Sequence, residues 1–506
     1  MAETIAGLIE GHSDAAPAIG APGREWLSFG ALRAQAAEVR GALAAAGIGP
    51  ADRVAIVLPN GPEMAAAFVC VASGATAAPL NPAYRAEEFD FYLSDLGAKA
   101  LVVEAGYDGP ALGVAEAKGV RIVRLIGGGA AGAFTLDLAR DEDPGPAGAD
   151  AVGLVLHTSG TTSRPKIVPL LQSNLAASSR HIGDALALTS ADRCMNMMPL
   201  FHIHGLVAAT LSSLAAGGSV WCAPGFDAIK VFRWLEEADP SWYTAVPTMH
   251  QAILARAARN RETVEKLNLR LIRSSSASLP GQVMTALAET FGCPVVESYG
   301  MTEAAHQMTS NPLDRQKPGS VGVEAGPLVR TAGETEDVIL GPGELGEVVI
   351  SGPNVTPGYE ANPEANARNF FGAEGRRWFR TGDQGRFDAD GFLHITGRLK
   401  EIINRGGEKV SPLEVDDALM DHPAVAQAVT FAMPHPKLGE EVAAAVVLKE
   451  GAEADEAGIR AFVRERLADF KTPRRVVILE EIPKGATGKL QRIGLAEKLG
   501  LGEPTA

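Results

Sequence analysis

The sequence predicts an α/β protein: a large N-terminal α/β region of several subdomains, followed by a small α+β domain. Three observations carry that expectation. The chain has 506 residues, too many for one ordinary core, so two or three domains are expected. Strand-like and helix-like patterns alternate from the first hundred residues onward, which implies parallel strands joined by helices. Beyond Lys400 a compact mixture of both patterns runs for about 105 residues, enough for an independent domain.

In chain order, Phe29 to Ala45 reads as a helix, Val54 to Leu58 as a strand, Glu63 to Ser73 as a helix and Ala100 to Val103 as a strand. After a strand from Arg121 to Ile126, the stretch Gly127 to Asp150 is rich in Gly, Ala and Pro and is expected to be a linker or exposed loop. It contains Gly127-x-Gly129-x-x-Gly132, which formally matches a dinucleotide fingerprint. Only Phe134 to Arg140 follows before a breaker-rich run, so the helix that this motif needs is missing, and a nicotinamide-dependent dehydrogenase would rest on those glycines alone. An apolar strand, Val152 to Leu156, leads through a polar loop to a helix starting near Gln172. A strand from Gly391 to Thr396 precedes the domain boundary, placed between 1–399 and 400–506. The second part reads as a helix Pro412 to Met420, strands Val425 to Phe431 and Val442 to Leu448, a helix Asp455 to Leu467 and a strand Arg475 to Leu479.

Composition narrows the function. With 46% hydrophobic and 21% charged residues the chain reads as a soluble globular protein. A net charge of −15 argues against nucleic acid or an anionic membrane surface as partner. Any anionic substrate must then meet local donors that run against the global field. Cys70, Cys194, Cys222 and Cys293 lie far apart without metal-ligand spacing, and are expected to be reduced, mostly buried thiols of a cytoplasmic protein. Met1 to Asp14 lacks the basic and apolar regions of a secretory signal, and Pro504-Thr505-Ala506 is not a peroxisomal tripeptide. Two stretches without formal charge, Met64 to Tyr84 and Cys194 to Phe226, are broken by small and polar residues and are expected to be buried helices and strands, with no membrane insertion.

The most informative segment is His157-Thr158-Ser159-Gly160-Thr161-Thr162-Ser163-Arg164-Pro165-Lys166. Its hydroxyls, close-approach backbone amides and lysine can replace the water that a polyphosphate loses on binding. The spacing G-x-x-x-x-G-K-[ST] is not met, so this is not the common nucleotide-binding P-loop.

That segment resembles the phosphate loop of the adenylate-forming acyl-CoA synthetase superfamily. Further blocks follow in the family's order: Pro199-Leu200-Phe201-His202, Tyr299-Gly300-Met301-Thr302-Glu303, Thr381-Gly382-Asp383, Gly397-Arg398-Leu399-Lys400 and Pro483-Lys484-x-x-x-Gly488-Lys489. The likeness spans nearly the whole chain, and within the superfamily the wording is most similar to members that join oxalate to CoA. It implies an acid–thiol ligase that uses ATP and CoA as co-substrates with Mg²⁺, and a small domain hinged at Lys400. Lys489 would bridge the acid's carboxylate and the α-phosphate during adenylation. Thr302 would meet phosphate and Glu303 would hold Mg²⁺, a hard cation that prefers oxygen. Thr158, Ser159, Gly160, Thr161, Thr162 and Lys166 would wrap the phosphates. Ser276, Ala277, Ser298 and Tyr299 would face the adenine, and Asp383 and Arg398 the ribose. Gly406 and Gly407 would let the pantetheine arm of CoA pass. Where the family usually has Gly after Pro-Lys, this chain has Ile167. An extended backbone is expected there, with a changed last turn of the loop and lowered ATP affinity.

The acid is read from pocket positions. His202 and His204 lie on the same side if their segment is extended. His306 and Ser276 add two more polar groups where relatives with greasy substrates have small or apolar residues. Such groups are costly to bury against a fatty tail, and they suit a second, non-reacting carboxylate. A short dicarboxylic acid is expected, oxalate being the smallest, with malonate or a medium-chain acid as alternatives. Two other readings are an adenylation domain feeding a carrier protein and a catalytically dead nucleotide sensor. The first is disfavoured because 506 residues leave no room for a carrier region, the second because Lys489, Glu303, Asp383 and Arg398 are all present.

Overall fold

The computed structural model describes residues 2–158, 165–333, 337–484 and 490–502. Its N-terminal region is built on two large, mainly parallel sheets. In the seven-stranded sheet, Arg121–Gly127, Ala100–Glu104, Arg53–Val57, Thr76–Pro79 and Val152–Thr158 run parallel side by side, with an antiparallel strand at each edge. In the nine-stranded sheet the parallel run is Val295–Met301, Leu271–Ser275, Trp242–Ala245, Arg193–Asn196, Ser219–Cys222 and Pro17–Gly20.

Helices between the sheets follow their sequence signals. Helix Phe29–Ala45 starts where Ser28 accepts the amide of Ala31 at 3.2 Å, a cap of about 1 kcal/mol. Helix Pro62–Ala72 opens on proline, whose missing N–H costs nothing in a first turn. It touches Thr76–Pro79 in one sheet and Ser219–Cys222 in the other, which explains why it is apolar on every side. The two uncharged stretches are therefore core, and among the described residues no helix is long and apolar enough to cross a membrane.

The stretch expected as a linker is partly built into the core. Phe134–Leu136 pairs antiparallel with Arg121–Gly127, and the buried Gln35 clamps it, donating to the Gly132 carbonyl at 2.9 Å and accepting from the Phe134 amide at 3.0 Å. Gly132 has φ +79°, and a Cβ there would stand 2.9 Å from the Pro62 carbonyl. These glycines form a turn between strands, with no helix after them to bind a dinucleotide.

An antiparallel sheet of five strands follows, including Gly346–Ser351, Arg376–Phe387 and Leu393–Arg398. Its last pairing sets Asp383 directly opposite Arg398. A short 3-10 turn, Leu399–Glu401, leads into a second five-stranded sheet made of Glu408–Val410, Ile403–Arg405, Gly439–Leu448, Val425–His435 and Arg475–Ile478. Helix Pro412–Met420 packs on it, capped by Ser411. Large α/β layers followed by a small α+β unit are the architecture that the sequence implies.

Candidate active site

Open parallel sheets bind ligands beyond the carboxyl ends of their strands, and Thr158, Ser276, Ser298 and Tyr299 stand at or near such ends. Thr158 and Lys166 end one strand and start the next, paired opposite each other. Ser159, Gly160, Thr161 and Thr162 lie outside the described residues. Ile167 is extended, paired with His157 and 8% exposed, so it packs as a strand residue with no left-handed backbone.

Lys166 holds its ammonium 4.3 Å from the centre of the Tyr359 ring, and burial pulls its pKa down, against the pull of Glu303. Tyr359 donates its hydroxyl to Glu303 at 2.7 Å. Burial raises the Glu303 carboxyl, while Tyr359, Lys166 and Arg398 act to lower it. Thr302 starts the same 3-10 turn as Glu303. The Glu303 carboxyl and the Lys166 ammonium thus both lie against Tyr359, beside the phosphate-loop strands. Tyr299 donates to Asp383 at 2.6 Å, and Asp383 faces Arg398 at 3.4 Å. Tyrosine, carboxylate and guanidinium are thereby fixed relative to one another from two different sheets.

Ser298 pairs across the sheet with Ser275, whose hydroxyl donates to the Ser298 carbonyl at 2.7 Å. Ser276 follows with φ +76° and turns the chain out of the sheet toward the exposed Ala277. Ala305 and His306 also have positive φ, +47° and +94°. Such backbone costs about 1–3 kcal/mol per residue and persists where the surroundings enforce it. Gly300 shows the enforcement, since a Cβ there would meet the His306 carbonyl at 1.6 Å.

These strained residues surround a buried polar cluster. His204 contacts Ser276 Oγ through Nδ1 at 3.0 Å and Thr244 Oγ1 through Nε2 at 2.6 Å, and its ring centre lies 5.2 Å from that of His306. Between them sits Arg273, fully buried. It reaches His204 Nε2 and His306 Nδ1, each at 3.4 Å, and Gln307 Oε1 at 3.3 Å. Burial pushes this guanidinium down to about 9, still protonated at neutral pH.

The segment from His202 to His204, which would set both side chains on one side if extended, turns into a helix instead. His204–Leu211 forms a π-helix, a rare form that is frequent at functional sites, and the Gly205 carbonyl is held by Asn196 and Thr210 at 3.1 and 2.8 Å. His202 and His204 therefore do not share one face. His202 lines a separate cavity of about 40 Å³ with Thr302, His157, Phe201 and Tyr84.

In the small domain, Gly406 and Gly407 have φ +61° and +99° and form the two-residue turn closed by Arg405 opposite Glu408. Positive φ at both positions explains the glycines by the hairpin alone. Lys400 lies within the Leu399–Glu401 turn. Lys489 is outside the described residues, and its flanking Lys484 and Leu490 pair with each other.

Comparison with known proteins decides the family. Residues 9–360 match the AMP-binding enzyme family and residues 414–489 the AMP-binding enzyme C-terminal domain. The chain belongs to the AMP-binding enzyme family. Among its relatives, an oxalate–CoA ligase of Arabidopsis thaliana is 47% identical over 460 residues, 88% of each chain. An oxalate–CoA ligase of Saccharomyces cerevisiae is 40% identical over 476 residues, 88% of this chain and 86% of the relative. The crystal structure of ATP-bound MatB from Rhodopseudomonas palustris superposes with a TM-score of 0.87 at 31% identity, covering 98% of this chain and 99% of that one. An acid–thiol ligase is the activity that these AMP-binding enzymes share with the geometry above.

Sequence reasoning missed Arg273, Thr244, Gln307 and Tyr359. A charged residue inside the otherwise uncharged strand Leu271–Ser275 was the available signal for Arg273. Glu297 was missed too. It is 2% exposed, accepts the Leu279 amide at 2.8 Å, and burial lifts its carboxyl from the ordinary 4.5 to about 8. Folded protein keeps this proton to about pH 8, while an unfolded chain releases it near 4.5, so stability is lost as pH rises through that window. Glu297→Gln keeps the acceptor and removes the titration. Calorimetry should find it melting roughly 2–5 °C above the unsubstituted protein at pH 8, with a much smaller gain at pH 5.

Proposed function

We propose that the protein converts oxalate, ATP and CoA into oxalyl-CoA, AMP and pyrophosphate through an oxalyl-AMP intermediate. The observation that carries this reading is the buried Arg273–His204–His306–Ser276 cluster. It is rich in donors, which suits a short dicarboxylic acid better than a fatty tail. The two relatives that are oxalate–CoA ligases support the same acid.

In the first step a carboxylate oxygen of the acid attacks the α-phosphorus and the bond to pyrophosphate breaks. Charge grows on the transferring group, so fixed cations and dipoles lower the barrier. Lys489 is the cation assigned to the α-phosphate, with Thr302, Thr158 and Lys166 along the phosphates. Glu303 would hold Mg²⁺ through one oxygen. Among the described residues no group of three His, Cys, Asp or Glu could hold a metal by itself, so the remaining ligands would be phosphate oxygens and water. Bound there, the ion would supply positive charge to the departing pyrophosphate. Tyr299 offers its face to adenine between Ser276, Ala277 and Ser298, and Asp383 with Arg398 holds the ribose hydroxyls. In the second step the CoA sulfur attacks the acyl carbon and AMP leaves. The small domain, residues 400–506, would turn about Lys400 between the steps and bring Gly406 and Gly407 to the pantetheine arm. Four free, buried cysteines fit a reducing cytoplasm.

Exchange of labelled pyrophosphate into ATP tests the first step without CoA. Exchange should depend on oxalate, and exchange supported by other acids but not by oxalate would refute the assignment.

A further inference from the structure

A buried guanidinium normally sits against a carboxylate, because an isolated charge in the interior is expensive. Arg273 departs from that pattern. It is 0% exposed, and among the described residues it makes no salt bridge and its Nε has no partner. Its hydrogen-bond partners among the described residues are Thr244, His204, His306 and Gln307, all formally neutral or able to be so.

The consequence lies in donor and acceptor roles. Guanidinium nitrogens only donate, so a ring nitrogen that hydrogen-bonds Arg273 does so as the acceptor. His204 Nε2 accepts from Arg273 and from the Thr244 hydroxyl, itself an acceptor of Arg273 at 3.4 Å. The His204 proton is thereby placed on Nδ1, which donates to Ser276 Oγ at 3.0 Å. Ser276 in turn keeps its hydroxyl proton for another acceptor. His306 Nδ1 accepts from Arg273, which places that ring's proton on Nε2. One planar fork thus fixes two tautomers, and a chain of donors runs outward from a buried positive charge. Arrays of this polarity strengthen one another in a low-dielectric interior and complement an anion.

We propose that Arg273 is the positioning residue of the acid pocket. It sets both imidazoles as neutral N–H donors and supplies the buried positive charge that selects an acid with a second anionic group. The proposal rests on the reading of this cluster as the acid site. It is separable from the choice of oxalate, since any short dianionic acid would feel the same charge.

The test compares Arg273→Met with Arg273→Lys in the full-length protein. Nitrogen-15 labelling of histidine reads tautomers directly, with His204→Asn and His306→Asn assigning the two signals. The unsubstituted protein should show His204 protonated on Nδ1 and His306 on Nε2, with Arg273→Met losing both preferences. In steady-state kinetics Arg273→Met should raise the KM of the preferred dicarboxylic acid at least about 30-fold and leave the KM of ATP within about threefold. Arg273→Lys should rescue only part of the loss, because a point charge cannot hold both rings. Selectivity for a dicarboxylic acid over acetate should fall in parallel. The opposite tautomers in the unsubstituted protein, or equal changes in the acid and ATP constants, would overturn the proposal. Preference for malonate with the Arg273 effects intact would overturn the oxalate assignment alone.

Discussion

Lys489→Ala is expected to lower oxalyl-AMP formation by about 10³-fold while leaving thioester formation from preformed oxalyl-AMP nearly intact. Adenylation builds negative charge around the α-phosphorus, and a lysine that meets this charge mainly in the transition state lowers the barrier without tightening ground-state binding. The loss corresponds to about 4 kcal/mol. Thioester formation instead develops charge on the acyl oxygen, away from a group assigned to the phosphate. Single-turnover assays of each half-reaction separate the two steps. Equal loss in both would remove Lys489 from its assigned role. Beside the phosphate-loop strands, Lys166 lies over the Tyr359 ring and Tyr359 donates to Glu303, and the proposed role of Lys489 adds a further cation to that group.

His306→Ala carries the second largest effect. His306 is 1% exposed, holds a backbone φ of +94° and is oriented by Arg273 at 3.4 Å. Losing a hydrogen bond to a charged ligand costs about 1.5–3 kcal/mol, so the KM for oxalate should rise by about 10–100-fold. The ATP contacts proposed above are made by other residues, among them Tyr299, Asp383 and Glu303, so the KM for ATP should change by less than about threefold. An unchanged oxalate constant would take His306 out of the pocket.

What was legible in the sequence followed the range of the signal. Helix Pro412–Met420 could be placed at both ends because its cap, Ser411, and its opening proline are adjacent in sequence. Asp383 and Arg398 were found as parts of local motifs, and strand pairing sets them opposite each other. His202 and His204 would share a side only if their segment were extended, yet the chain turns there and enters the π-helix at His204, where Asn196 and Thr210 hold the Gly205 carbonyl. No local pattern encodes that capture. Arg273 was illegible for a similar reason. Its partners His204 and His306 lie 69 and 33 residues away, one on the π-helix and the other on an antiparallel strand, and only the tertiary fold brings them to the strand that carries Arg273. The Gly127 to Asp150 stretch looked like a linker because its core contacts are few and scattered, with Gln35 reaching in from a distant helix.

The most direct measurement is CoA-dependent AMP production from ATP with oxalate, malonate, acetate and octanoate, each at equal concentration. A pocket built around Arg273, His204 and His306 should put oxalate at least about tenfold ahead of the other three acids. Octanoate or acetate in front would keep the fold and the nucleotide site and contradict the reading of this cluster as a seat for a second carboxylate.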